Sequence, residues 1–215
     1  MSLNAKATGG GNIDPIPADK YVGRFIGVYD LGTQYNSLYK KWTRKVLLQL
    51  EIPAVRAQYE ANDGTQVDNP RVITREYGLT LHKKATLRKD LEAVRGREFT
   101  DAELAGFDLF TIQGAPAEIQ VVHKTKGDKT YSNVGALSKV FKGVEIPPAE
   151  LTPISFSFDT VNSVEEVDGQ LIRIADWIGD KITDAKEYTA LKDRAVGTTS
   201  PEVENLPDPD DDIPF

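Results

Sequence analysis

The chain has 215 residues, a net charge of −7, 40% apolar residues and 27% charged residues, the balance of a soluble globular domain with one core of ordinary size. It has no cysteine, which excludes disulfides and thiolate metal sites. No apolar run reaches membrane-spanning length and the N-terminus lacks the apolar segment of a secretory leader, so an intracellular protein is expected.

The charge is unevenly divided. Residues 20–142 carry 20 Lys and Arg against 14 Asp and Glu, and residues 20–97 carry 15 against 8. Six acids and no base lie between Glu202 and Asp212. A basic body with acidic C-terminal parts suits a polyanion-binding domain that carries an acidic arm.

Residues 1–19, with Gly9-Gly10-Gly11, Pro15 and Pro17, predict a flexible lead-in. The triple glycine is no phosphate loop, because no Gly-Lys-Ser/Thr follows. Tyr21 to Leu31 alternates as a strand, with Val22, Arg24, Ile26 and Val28 on one face and Tyr21, Phe25 and Tyr29 on the other. Gly23 and Gly27 interrupt the second face and suggest a bulge or sharp bend. The polar, aromatic stretch Gly32 to Trp42 is expected as a loop. Thr43 to Ile52 is the second strand, with Val46, Leu48, Leu50 and Ile52 inward. Residues 54–70 hold Asn62-Asp63-Gly64 and Asn69-Pro70 and predict a long hairpin loop. Arg71 to Leu81 is the third strand, with Leu79 and Leu81 core-facing.

Leu87, Leu91 and Val94 fall at helical spacing and end at Gly96. Thr100 with Glu103 is a capping box that opens a short second helix. Phe107 to Gln113 reads as another helical turn, and residues 119–124 and 130–137 as a hairpin. After the prolines at 147, 148 and 153, Ile154 to Phe158 is a short strand and Leu171 to Ile182 an amphipathic helix. Residues 195–207 are a Gly-, Thr-, Ser- and Pro-containing linker, and Asp208 to Phe215 an acidic string with an apolar tip.

Three strands, a helix and two strands fit a mainly β fold with α elements: a five-stranded oligonucleotide-binding (OB-fold) barrel with its helix between strands 3 and 4. The expected division is a lead-in (1–19), the barrel (20–142), a strand and helix extension packing on it (143–194), and a disordered linker and acidic tail (195–215).

The ending Asp210, Asp211, Asp212, Ile213, Pro214, Phe215 resembles the C-terminal tip of bacterial single-stranded DNA-binding proteins. In that family the tip recruits replication, recombination and repair enzymes. The block from Leu79 to Glu92, with Arg95-Gly96-Arg97, Phe99 and Gly106-Phe107, is similar to a family of bacteriophage-encoded single-stranded DNA-binding proteins, as is Tyr29 to Gln34. The resemblance implies a phage-encoded protein that covers single strands in the bacterial cytoplasm. The tip residues 210–215 would then be its protein-recruiting site.

Single strands are held by a basic groove that tracks phosphates and by aromatic faces on which bases stack. Tyr35, Tyr39, Lys40, Lys41, Trp42, Arg44 and Lys45 interleave both types within eleven residues, with no acid between Asp30 and Glu51. Trp42 has two open roles, stacking on bases or capping the core. Arg71 and Arg75 on the third strand, and Lys83, Lys84 and Arg88 at the helix start, are further candidates, as are Lys124, Lys126 and Lys129 on the last hairpin. Tyr131 is either a stacking residue or a barrel residue. Catalysis and cofactors are not expected. His82 and His123 stand far apart, outside any metal-ligand spacing. The alternatives are a metal-dependent nuclease, or an interaction decoy that binds the host enzymes without nucleic acid.

Overall fold

The computed structural model describes residues 14–37, 40–60 and 64–197. The chain is mainly β. Five strands, β1 (Lys20–Asn36), β2 (Lys41–Glu60), β3 (Gln66–Gly78), β4 (Pro116–Lys126) and β5 (Lys129–Ser138), form a nearly closed antiparallel sheet of spatial order β3-β2-β1-β4-β5. Helices α1 (Thr86–Arg95) and α2 (Asp101–Ala105) and a 3-10 turn at Leu109–Ile112 lie between β3 and β4. Beyond β5 come a short β6 (Ile154–Phe156) and helices α3 (Val164–Leu171), α4 (Asp176–Thr183) and α5 (Lys186–Gly197).

β1 is the strand the others use. β2 pairs with it along one edge; β4 takes the other edge over Lys20–Arg24, and β6 takes it in parallel over Gly27–Tyr29. Simple alternation sets Phe25 and Val28 on opposite faces. A register shift between Phe25 and Gly27 adds one residue and changes the phase. Phe25 and Val28 therefore both enter the barrel interior, beside Val46, Leu48, Leu50 and Ile52. Tyr29 turns outward with Leu31, which lies at a second shift between Asp30 and Gly32. Gly23 marks the sharp approach: a Cβ there would lie 2.2 Å from the Glu51 carbonyl oxygen.

α1 lays Leu87 and Leu91 into the same interior as Ile119, Val121, Val134 and Leu137. It ends at Gly96, whose φ of 68° is the left-handed conformation that glycine adopts without strain. The capping box of Thr100 and Glu103 forms as expected. The Arg95 guanidinium lies 4.3 Å from the Phe99 ring centroid and 5.2 Å from that of Phe107, and Glu103 pairs with Arg95 and Arg97.

The last side of the barrel is closed by side chains. Among the described residues no ladder joins β3 to β5. Arg75 Nη1 instead reaches from β3 to Asp90 of α1 at 3.2 Å and donates to the Gly135 carbonyl of β5 at 3.4 Å. The Tyr77 hydroxyl donates to Asp90 at 2.8 Å.

A second core covers the outer face of β1 and β2. Tyr29, Leu31 and Leu47 pack there against Phe156, Phe158, Val167, Ile178, Ile182 and Leu191. Glu51, fully buried on β2, accepts the backbone N–H groups of Glu150 at 3.2 Å and Leu151 at 3.0 Å, which fastens the connection to β6.

Five expectations are corrected. Residues 32–42 are not a loop: β1 runs on to Asn36 and β2 starts at Lys41, and these two residues pair. Most of residues 54–70 are also strand, with β2 reaching Glu60 opposite Gln66 of β3. At these hairpin ends Tyr35, Trp42 and residues 58–60 are exposed, so the stretches carry no apolar alternation. Leu171 to Ile182 is not one helix. The chain turns at residues 172–175, which buries Ile174 and leaves Ile172 86% exposed. β3 stops at Gly78, so Leu79 is exposed while Leu81 packs on the barrel core. α5 also extends into the segment read from composition as linker, ending at Gly197.

Replacing Gly23 with Ala forces a methyl group against backbone. Urea unfolding is expected to show a loss of about 1–3 kcal/mol. Gly106→Ala, where nothing lies within 4 Å of the added carbon, is expected to change stability by less than about 0.5 kcal/mol.

Candidate nucleic-acid interface

The far end of the β1–β2 hairpin carries an exposed aromatic pair. Tyr35 and Trp42 are direct cross-strand partners with ring centroids 5.3 Å apart and planes tilted by 58°. Tyr35 is 52% and Trp42 48% exposed, and Trp42 belongs to neither buried cluster, so it does not cap the core. Lys40 and Lys41 are exposed beside the pair, and Lys40 has a φ of 49°. Tyr39 lies outside the described residues. The Lys186 ammonium of α5 stands 4.0 Å from the Trp42 ring centroid.

Arg44 and Lys45, the next residues toward the barrel, are already engaged. Arg44 Nη2 donates to Asp30 Oδ2 at 2.6 Å and to Asp159 Oδ1 at 2.9 Å. The hydrogen bond to Asp30 leads in raising its pKa further above the ordinary arginine value. Asp30 is buried and also accepts the backbone N–H groups of Gly32 and Phe158, so this pair is a joint between β1, β2 and the extension. Beside it opens a cleft of about 220 Å³ lined by Val28, Val46, Leu79, Phe107 and Phe110. Lys45 Nζ lies 2.6 Å from Glu76 Oε1, and Lys181 of α4 lies 2.7 Å from Glu76 Oε2. Burial raises the Glu76 pKa, but the hydrogen bonds from Lys181 and Lys45 outweigh it and hold the carboxyl below its ordinary value.

The remaining candidates fall into three places. Arg71 donates to the Asp14 carbonyl at 2.8 Å and Arg75 closes the β3–β5 seam, so both serve the barrel wall. Lys83 and Lys84 are exposed in the turn before α1, in a segment that leaves β3 beside Arg44, where the Leu79 N–H donates to the Arg44 carbonyl at 2.8 Å. Arg88 pairs with Glu92 at 2.8 Å within α1. Lys124, Lys126, Lys129 and Tyr131 form the tip of the β4–β5 hairpin, with Tyr131 opposite Lys124 and 49% exposed. That tip runs past Lys20, at the opposite end of β1 from Tyr35 and Trp42. Among the described residues Lys83, Lys84, Lys124, Lys126 and Lys129 form no ion pair.

Lys181 and Lys186 were not anticipated. They sit in a stretch rich in acids, far along the chain from Trp42, and no linear pattern links them to it. Tyr59, 49% exposed near the end of β2, is a further exposed aromatic. The His123 Nε2–H donates to the Ile16 carbonyl at 2.8 Å. Among the described residues no group of three or more His, Asp or Glu side chains is arranged to hold a metal ion, and no helix is long and apolar enough to cross a membrane. The tip, Asp210 to Phe215, lies outside the described residues.

No protein-family model matches the chain, and no curated protein matches it in sequence.

The Glu76 clamp has a pH signature. A carboxyl whose pKa is depressed in the folded state contributes stability that is fully present above its unfolded value of about 4.5 and is lost as pH falls through the lower folded value. Glu76→Gln is expected to lower the unfolding free energy by about 1 kcal/mol at pH 7, between exposed and buried pairs. Denaturant titrations from pH 7 down to pH 3 are expected to show the difference shrinking below pH 4.5.

Proposed function

We propose that the chain binds single-stranded DNA with little sequence preference, through an oligonucleotide-binding barrel. In this view it acts in replication and recombination of a phage genome in the bacterial cytoplasm, and its tip recruits host enzymes. The observation that carries the proposal is the exposed Tyr35–Trp42 pair flanked by Lys40, Lys41 and Lys186 at the end of the barrel hairpin. Rings of that kind supply sequence-tolerant stacking platforms, and ammonium groups around them track phosphates.

The barrel supports the proposal. Its order β3-β2-β1-β4-β5, the approach of β3 to β5, and the helix between β3 and β4 are the features an oligonucleotide-binding fold requires. The second core occupies the outer face of β1 and β2, so the strand is assigned to the hairpin ends rather than to the middle of that face. Lys83 and Lys84 extend the basic surface at one end. Lys124, Lys126, Lys129 and Tyr131 offer a second patch at the other. Arg44, Lys45, Arg71 and Arg75 are assigned to holding the surface in shape.

Fluorescence anisotropy with labelled single- and double-stranded oligonucleotides at two salt concentrations tests the proposal. Preference for the single strand, with affinity falling as salt rises, is expected. Trp42→Ala is expected to lose about 1–3 kcal/mol of binding. Joint replacement of Lys40 and Lys41 by Ala is expected to flatten the salt dependence by about 0.7 per lost phosphate contact. Equal affinity for both DNA forms, or no binding to either, overturns the proposal; in the second case a tip that still captures enzymes favours the decoy.

The tip is tested separately. Phe215→Ala empties the apolar anchor while keeping every side-chain charge. It is expected to abolish pull-down of host replication and repair enzymes and leave DNA affinity unchanged. Undiminished capture by this variant removes the recruiting role.

A further inference from the structure

The contact between α5 and Trp42 bears on how a base reaches the ring. We infer that Lys186 covers the Trp42 face in the free protein and transfers to phosphate when a base stacks there, which makes α5 part of the nucleic-acid interface. This rests on the single-strand reading above.

Lys186 Nζ stands 4.0 Å from the ring centroid, inside the space that a stacked base would fill over that face. Ammonium and base therefore compete for one position. Stacking a base outweighs an exposed cation–π contact, so the exchange runs toward the bound state. Lys186 is exposed and, among the described residues, has no carboxylate partner. Its charge is thus available to a phosphate, and its four-carbon stem lets it swing without moving the helix.

The helix itself is tied to the hairpin. Glu187, the next residue, accepts the Thr33 N–H and the Thr33 hydroxyl, both at 2.6 Å. Gln34 Nε2 donates to the Lys181 carbonyl at 2.7 Å. Gly32, with φ of 63°, lies so close to the turn before α5 that an added Cβ would come 2.6 Å from the Ala185 methyl. These contacts hold the start of α5, and with it Lys186, beside the hairpin.

The experiment uses the full chain with Trp177→Phe, which leaves Trp42 as its one tryptophan. Binding to a thymidine oligonucleotide is followed by Trp42 emission across a salt series. Lys186→Ala and Lys186→Met, the latter keeping most of the stem, are each expected to flatten the log–log salt slope by about 0.7. Their unliganded emission is expected to differ from the parent's, and their saturated emission to match it. Lys192→Ala removes the same charge from α5 at a lysine that lies over Tyr188 instead, and is expected to keep the parent slope. If the Lys186 variants keep the parent slope while Trp42→Ala weakens binding in the anisotropy assay with labelled oligonucleotide, α5 lies outside the interface and the single-strand reading stands. If the parent does not bind the oligonucleotide, both fall together.

Discussion

The structure depends on one strand being buried on both faces and hydrogen-bonded on both edges. β1 supplies Phe25 and Val28 to the barrel interior and Tyr29 and Leu31 to the outer core. It pairs with β2 on one side and with β4 and then β6 on the other. A regular strand cannot turn Phe25 and Val28 the same way; the extra residue at Ile26 does so and bends the strand as well. Barrel and extension therefore share a wall, and neither core can be rearranged without the other.

That shared wall explains the form of the candidate surface. With the outer face of β1 and β2 occupied, the exposed aromatics of these two strands lie toward their ends, at Tyr35, Trp42 and Tyr59. The ion pairs nearest to them, Arg44 with Asp30 and Asp159, and Lys45 and Lys181 with Glu76, join strands to the extension. They set the orientation of the hairpin, and Tyr35, Lys40, Lys41 and Trp42 beyond them are exposed.

The sequence disclosed the parts of the fold where one side of an element is wet and the other dry. Val46, Leu48, Leu50 and Ile52 alternate because one barrel wall lies behind them, and Leu87 and Leu91 recur because α1 has a single buried stripe. Where that contrast fails, the pattern is silent. The hairpin ends around Tyr35 and Trp42 and at residues 58–60 are exposed and look like loops in the sequence. The phase change at Ile26 follows from sheet geometry and has no signature beyond the nearby glycines. Tyr35, Lys40, Lys41 and Trp42 were legible as a cluster because they are neighbours in sequence. Lys186 was not, since only the folding of α5 against Thr33 brings it to the ring. The separation of the β4–β5 tip from that cluster is likewise a property of register, and composition carries no trace of it.

The side-chain seam between β3 and β5 gives the barrel an uneven stiffness. Four of its five joints are ladders in which every opening step breaks backbone hydrogen bonds. The fifth rests on the guanidinium of Arg75, a long side chain that can follow the Gly135 carbonyl as the strands move apart. The barrel is thus a split cylinder, and among the described residues the β3–β5 seam is the joint whose parting would break side-chain contacts and no backbone ladder.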